Sequence, residues 1–235
     1  MSPCLLAFDT STETLAVALR AGGADHLRLL PGGAAASASL LPAVHGLLGH
    51  AAIDWDALDA IAFGRGPGAF TGLRTSCAVA QGLGFGLGRP LLPIDSLLVV
   101  AEDARRQAAP DAPEFEVGVA MDARINEAYA GRYRWHGGAW QVLGVPALYT
   151  LPALAAAWAE PPRWLAGSAL TAFGDRLGLP AALPRVAAER DRPGALLALA
   201  GQAFAAGLGV DAALALPLYL RDKVALTTAE REAAK

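Results

Sequence analysis

The chain has 235 residues, 54% of them hydrophobic, with a net charge of −3 and a pI near 5.8. That content supports one large core or two modest ones, while the lack of any run of about eighteen apolar residues free of Gly, Pro or charge argues against a membrane span. Lysine occurs only at Lys223 and Lys235 and arginine forms no dense cluster, so the chain alone is not equipped to grip nucleic acid by its phosphates.

In chain order, Leu5–Phe8 reads as an apolar strand ending in Asp9-Thr10-Ser11-Thr12. The opening MSPCLLAFDTST has no basic n-region, so it reads as a strand rather than an export signal. With Cys4 and Cys77 as the only cysteines, reduced thiols and a cytoplasmic setting are expected. Leu15–Arg20 and His26–Leu30 follow as strands, with a hairpin turn at Gly22-Gly23. Helix and strand then alternate through Leu40–Ala51, Ala60–Phe63, Thr71–Leu87, Leu91–Ile94 and Leu97–Gln107. Ala108–Pro113, with two prolines and an aspartate, is the natural joint, and beyond it the pattern returns.

Val117–Met121 runs into Asp122-Ala123-Arg124, then come Glu127–Arg134 and Trp140–Leu143, with Gly137-Gly138 at the hairpin. Asp122 thus matches Asp9. The second half continues with Leu151–Ala159, Trp164–Ala166, Ala169–Leu177, Leu183–Val186 and Gly194–Ala206. Two βββαβα units predict an α/β protein of two lobes, residues 1–107 and 108–235, each a mixed sheet flanked by helices, with a cleft between them.

Two stretches carry candidate chemistry. Asp9-Thr10-Ser11-Thr12 supplies a carboxylate and hydroxyls that suit phosphate oxygens or a hydrated Mg²⁺, or else an Asx- or ST-type turn that satisfies its own backbone. Ala60–Arg74, AIAFGRGPGAFTGLR, is a strand, a loop with Gly64, Gly66, Gly68 and Gly72, and the start of a helix. Its glycines permit close approach to an anion or to another backbone. It is not a Walker A loop, because Leu73 and Arg74 stand where that motif needs Lys and Ser or Thr.

FDTST, GRGPGAFTGLR, AMDARINEAYAG and PLYLRDKVA occur in this order between Leu5 and about Ala225. Together they resemble the bacterial TsaB (YeaZ) family of the tRNA threonylcarbamoyladenosine machinery. The resemblance implies an actin/Hsp70/sugar-kinase-like (ribonuclease H-like) fold of two related lobes. It also implies a non-catalytic scaffold and activator, without cofactor, metal or catalytic residue of its own. Such a subunit pairs with the catalytic homologue TsaD, or with a second copy when alone. With the ATPase TsaE it supports transfer of threonylcarbamoyl to the adenosine beside the anticodon, meeting tRNA only through the complex. The family pattern has Ser where this chain has Ala69, and Ala34–Ser39 lacks the basic, His-containing start seen there.

On this reading Asp9, Thr10, Ser11, Gly66, Gly68 and Gly72 mark a degenerate nucleotide cleft. A small-molecule kinase of the same fold is the rival. Its adenosine loop would fall at Leu165-Ala166-Gly167-Ser168-Ala169, which has a single Gly and little room for a base. A glycoprotease-like peptidase lacks support. HExxH, HxxxH, CxxC and GxSxG are all missing, and His45 and His50 lie about 140° apart on a helix.

Docking has a signature of its own. Gly72, Ser76, Ala80, Gly84 and Gly88 form one small-residue stripe along Thr71–Leu87 and its end, and Ala78, Gly82 and Gly86 form another. Each interior glycine costs about 1 kcal/mol relative to Ala, which close packing has to offset. One stripe is expected to face the core and the other a partner. Leu40–Ala51 adds Leu40, Leu41, Val44, Leu47 and Leu48. The expected interface comprises Leu40, Leu41, Val44, Leu48, Ser76, Cys77, Ala80 and Gly84. Asp122, Arg124, Glu127, Tyr129 and Arg221 are the polar motif residues, with Asp122 and Arg124 expected to pair across the hairpin.

Overall fold

The computed structural model describes residues 2–221. β1 (Leu5–Asp9), β2 (Thr14–Ala21) and β3 (Ala24–Pro31) form an antiparallel meander. After α1 (Ala36–Ala51), β4 (Ala60–Gly66), α2 (Phe70–Leu87) and β5 (Leu91–Asp95), the sheet order is β3-β2-β1-β4-β5, with β4 and β5 parallel to β1. α3 (Ser96–Ala108) leads to β6 (Glu114–Asp122), β7 (Glu127–His136) and β8 (Ala139–Thr150). α4 (Leu151–Ala157), β9 (Trp164–Ala166), α5 (Ala169–Phe173), β10 (Arg185–Val186) and α6 (Arg192–Ala205) follow. The second sheet, β8-β7-β6-β9-β10, repeats the first strand for strand. This is a duplicated, two-lobed α/β arrangement.

The repeat starts in the turns. Gly22 and Gly23 have φ of +59° and +82°, Gly137 and Gly138 +59° and +84°, the positive pair that a two-residue hairpin needs to match strand twist. Two expectations are corrected. The strand expected at Trp140–Leu143 runs on to Thr150, past Gly144 and Pro146, because it is the edge strand and a missing N–H there breaks no ladder. The helix expected over Ala169–Leu177 breaks at Gly174 (φ +52°), and Gly174–Leu177 continues as a 3₁₀ turn.

β1 is covered on both faces. Leu6 and Phe8 pack with Leu40, Val44, Leu48, Cys77 and Ala80 of α1 and α2. Leu5 and Ala7 pack with Ala195, Leu196 and Leu199 of α6. In the second sheet, Phe115, Val117 and Tyr133 meet Leu97, Val100 and Ala104 of α3, while α4 and α5 cover the opposite face. Each half's last helix therefore packs on the other half's sheet, and α3 lies against α6. No helix among the described residues is long and apolar enough to cross a membrane. Of PLYLRDKVA, residues 222–225 lie outside the described residues, as do Lys223 and Lys235.

Within the second sheet, the Glu116 carboxylate, 4% exposed, accepts hydrogen bonds from Arg132 and Arg134. Burial pushes its pKa up, but the two guanidiniums outweigh burial and hold it below the usual carboxylate range. A depressed carboxylate contributes stability that is present above its unfolded pKa, about 4.3, and is lost as pH falls through the folded value. Glu116→Gln is therefore expected to lower stability at pH 7 and flatten the loss below about pH 4, read from urea midpoints across pH. Parallel acid limbs for the two proteins would refute it.

Candidate functional site

The β1–β2 turn borders a cavity of about 670 Å³, whose walls also come from the β6–β7 hairpin, the N-terminus of α6 and residues 218–221. Asp9 ends β1 and is fully buried. One oxygen, Oδ1, accepts the Ser11 backbone N–H at 2.6 Å, closing an Asx turn. The other, Oδ2, accepts from Arg192 at 2.8 Å and from the Ser96 hydroxyl at 3.2 Å. Arg192 begins α6, is 3% exposed, and also donates to the Ser11 hydroxyl and to Glu189. Burial alone would lower the Arg192 pKa, but Glu189 and Asp9 hold it above the ordinary arginine value.

The carboxylate matched by position to a phosphate or Mg²⁺ site is thus occupied by the chain's own guanidinium. Among the described residues no three His, Cys, Asp or Glu side chains converge as metal donors.

The glycine-rich loop faces the same turn. A Cβ at Gly72 would sit 1.9 Å from the Thr10 carbonyl oxygen, and one at Gly64 would sit 2.2 Å from the Asp9 carboxylate. Thr10 ties this contact by donating to the Gly72 carbonyl at 2.6 Å and sharing a bond with the Ser76 hydroxyl. Gly68 abuts Ser11, and Gly66 abuts the Leu218 carbonyl. The six cleft candidates do come together, with Asp9, Thr10 and Ser11 turned toward their own backbone, Ser76 and Arg192. The close approach anticipated for the loop is to another backbone. At the kinase-like position, a Cβ on Gly167 would meet the Ala120 carbonyl at 2.4 Å, so this glycine also serves internal packing.

The other polar motif residues gather at the opposite rim of the cavity. The expected Asp122–Arg124 side-chain pair is replaced by two separate bonds. Asp122 accepts the Arg124 backbone N–H at 2.8 Å, and the Arg124 guanidinium reaches Glu13 of the β1–β2 turn at 3.1 Å. The reason is local, since Arg124, Ile125 and Asn126 all have φ between +54° and +66°, which turns Arg124 away from Asp122. Glu127 pairs with Arg221 at 2.7 Å, and Tyr129 lines the cavity. Ser96, Glu189 and Arg192 were missed by sequence reasoning, because no motif surrounds them.

Seven of the eight docking candidates are corrected. Leu40, Val44, Leu48, Ser76, Cys77, Ala80 and Gly84 are buried inside the chain's own core, so they present nothing to a partner. Physically, the segment after α6 lies over their stripe. A Cβ on Gly84 would meet Leu91 and Ala212, and the Cys77 thiol donates to the Ala215 carbonyl. Leu41 alone of the eight is exposed, at 46%. The free stripe of α2 is the other one, Ala78, Gly82 and Gly86, with Phe85 at 64% exposure beside it. Among the described residues, a Cβ at Gly82 or Gly86 would meet nothing within 4 Å.

Residues 31–189 match the family model described as "TsaD: tRNA N6-adenosine threonylcarbamoyltransferase". The TsaB protein of Escherichia coli K12, described as a tRNA threonylcarbamoyladenosine biosynthesis protein, is 32% identical over 233 residues, covering 94% of this chain and 96% of its own. The TsaB of Haemophilus influenzae is 42% identical over 127 residues, which is 53% of this chain and about half (51%) of that protein. The solved structure "YeaZ from Pseudomonas aeruginosa" superposes with a TM-score of 0.81 at 38% identity, covering 93% of this chain and all of that one. With the duplicated two-sheet fold, and a full-length relative above 30% identity, the chain belongs to the TsaB family of tRNA threonylcarbamoyladenosine biosynthesis proteins.

Proposed function

We propose that the chain is a non-catalytic subunit of the threonylcarbamoyladenosine machinery. It pairs with the catalytic transferase homologue TsaD through the exposed face of α2 and the adjoining part of α1. The observation that carries this reading is the Asp9–Arg192 pair. A buried guanidinium engages the carboxylate that the Asp9–Thr12 turn would otherwise offer to metal and phosphate, and removing it costs the pairing of two desolvated charges. The small-residue stripe Ala78, Gly82 and Gly86 supports the pairing, because open glycines on a helix let a second backbone approach closely. TsaE and tRNA join through the assembled complex, consistent with a net charge of −3 on this chain.

Mixing the chain with its catalytic homologue and measuring the eluted mass tests the pairing, and titrating each alone with ATP–Mg²⁺ and tRNA tests the division of labour. A co-eluting complex is expected, with no saturable ATP binding by this chain and weak tRNA binding that changes little with salt. Micromolar ATP binding by this chain would instead favour phosphoryl transfer. Tight, steeply salt-dependent tRNA binding would overturn the indirect contact.

A further inference from the structure

We propose that Val210–Arg221 is a strap that latches the two sheets together across the mouth of the cavity. The segment starts on the first sheet, where Val210 and Leu91 exchange backbone hydrogen bonds of 2.8 and 2.9 Å. Its middle lies on α2, the Ala215 carbonyl accepting from the Cys77 thiol and from Gln81 at 3.0 Å. The Leu218 N–H then donates to the Arg65 carbonyl at 2.7 Å, and the Tyr219 ring packs tilted against Phe70, centroids 5.2 Å apart, with its hydroxyl accepting from Arg74.

Two residues later the partners change sheet. Arg221 donates to the Ala123 carbonyl at 2.9 Å and pairs with Glu127 at 2.7 Å, both flanking the β6–β7 turn. With side chains 17% and 24% exposed, this ion pair is shielded far more than Arg124–Glu13, a second bond over the same mouth whose side chains are 73% and 81% exposed.

The turn that receives Arg221 is strained. Three successive non-glycine residues, Arg124, Ile125 and Asn126, are left-handed, and Ile125 is β-branched and 74% exposed. Such a conformation persists when its surroundings hold it. Here the hold comes from Asp122 on the Arg124 N–H, Arg176 on the Asn126 side chain at 2.7 Å, and Arg221 on the Ala123 carbonyl. Releasing Arg221 therefore loosens the turn and widens the cavity mouth together. Leu218, Tyr219, Leu220 and Arg221 all line the cavity, so the strap sets access to it.

Amide hydrogen exchange on the full isolated chain separates this strap from two unrelated local contacts. Tyr219→Ala removes contacts to Phe70 and Arg74 of the first lobe, and Arg221→Ala removes those to Ala123 and Glu127 of the second. A strap couples them. Tyr219→Ala is expected to raise exchange roughly tenfold at the Ala123 and Glu127 amides, which bond across the β6–β7 turn. Arg221→Ala is expected to do the same at the Leu218 amide, while β1 and β6 keep their wild-type protection. Glu127→Gln, which leaves the strap's own sequence intact, is expected to raise Leu218 exchange likewise. Changes confined to the substituted anchor in these variants overturn the proposal.

Discussion

Asp9→Ala is expected to lower stability by about 1–3 kcal/mol, because it removes one of the two carboxylates on the buried Arg192 guanidinium and leaves the Ser11 N–H and the Ser96 hydroxyl without their acceptor, while Glu189 still pairs with Arg192. Set against a total stability on the order of 5–15 kcal/mol, that loss shifts the urea midpoint steeply. The paired variant Asp9→Ala/Arg192→Leu removes both buried charges. Glu189, 21% exposed, then reaches water, so the double variant is expected to regain much of the loss. A double variant no more stable than Asp9→Ala would show that the two residues are not coupled. The same protein addresses chemistry. If the cleft is structural, the double variant still assembles with the catalytic homologue and supports tRNA modification. A folded, assembled double variant without activity would place a reacting group at Asp9.

The second large effect separates the stripes of α2. Ala80 is fully buried against β1 and β5 residues, so Ala80→Arg forces a charge and excess volume into a filled core, and unfolding is expected. Ala78 is exposed, so Ala78→Arg is expected to alter stability by no more than about 0.5 kcal/mol. It is nevertheless expected to weaken pairing with the catalytic homologue by about 2 kcal/mol, roughly thirtyfold, since a long cation cannot fit a seam built for small residues. Denaturant midpoints and a binding titration on the same samples give both readings. Unchanged affinity for Ala78→Arg would move the interface off this helix.

The parts of the fold visible in the sequence are those determined by neighbours along the chain. Gly22-Gly23 and Gly137-Gly138 specify their hairpins locally, and the short continuous apolar run of β1 marks a strand whatever packs on it. β8 was underestimated because Gly144 and Pro146 break a central strand, and only the sheet order reveals β8 as an edge. Which stripe of α2 is buried is hidden for a similar reason. Both stripes of α2 have small residues, and the choice between them depends on Ala212 and Ala215, which arrive from the far end of the chain to cover Cys77 and Gly84. Arg192 lies 183 residues from Asp9, and an arginine in the charged run Glu189-Arg190-Asp191-Arg192 carries no local sign of a partner so far away.

The reciprocal packing of α3 and α6 bears on how the protein is made. The inner face of the first sheet, with Leu5, Ala7, Ala18 and Ala62, has its cover in α6, which a ribosome delivers only after the strands of the second sheet. Until then that apolar surface is bare on a nascent chain whose strands are already complete. Synthesis therefore cannot finish one lobe before beginning the next, and the duplication cannot be undone by cutting between sheets. Either half alone keeps a helix meant for its absent twin and exposes the face that the twin's helix would close.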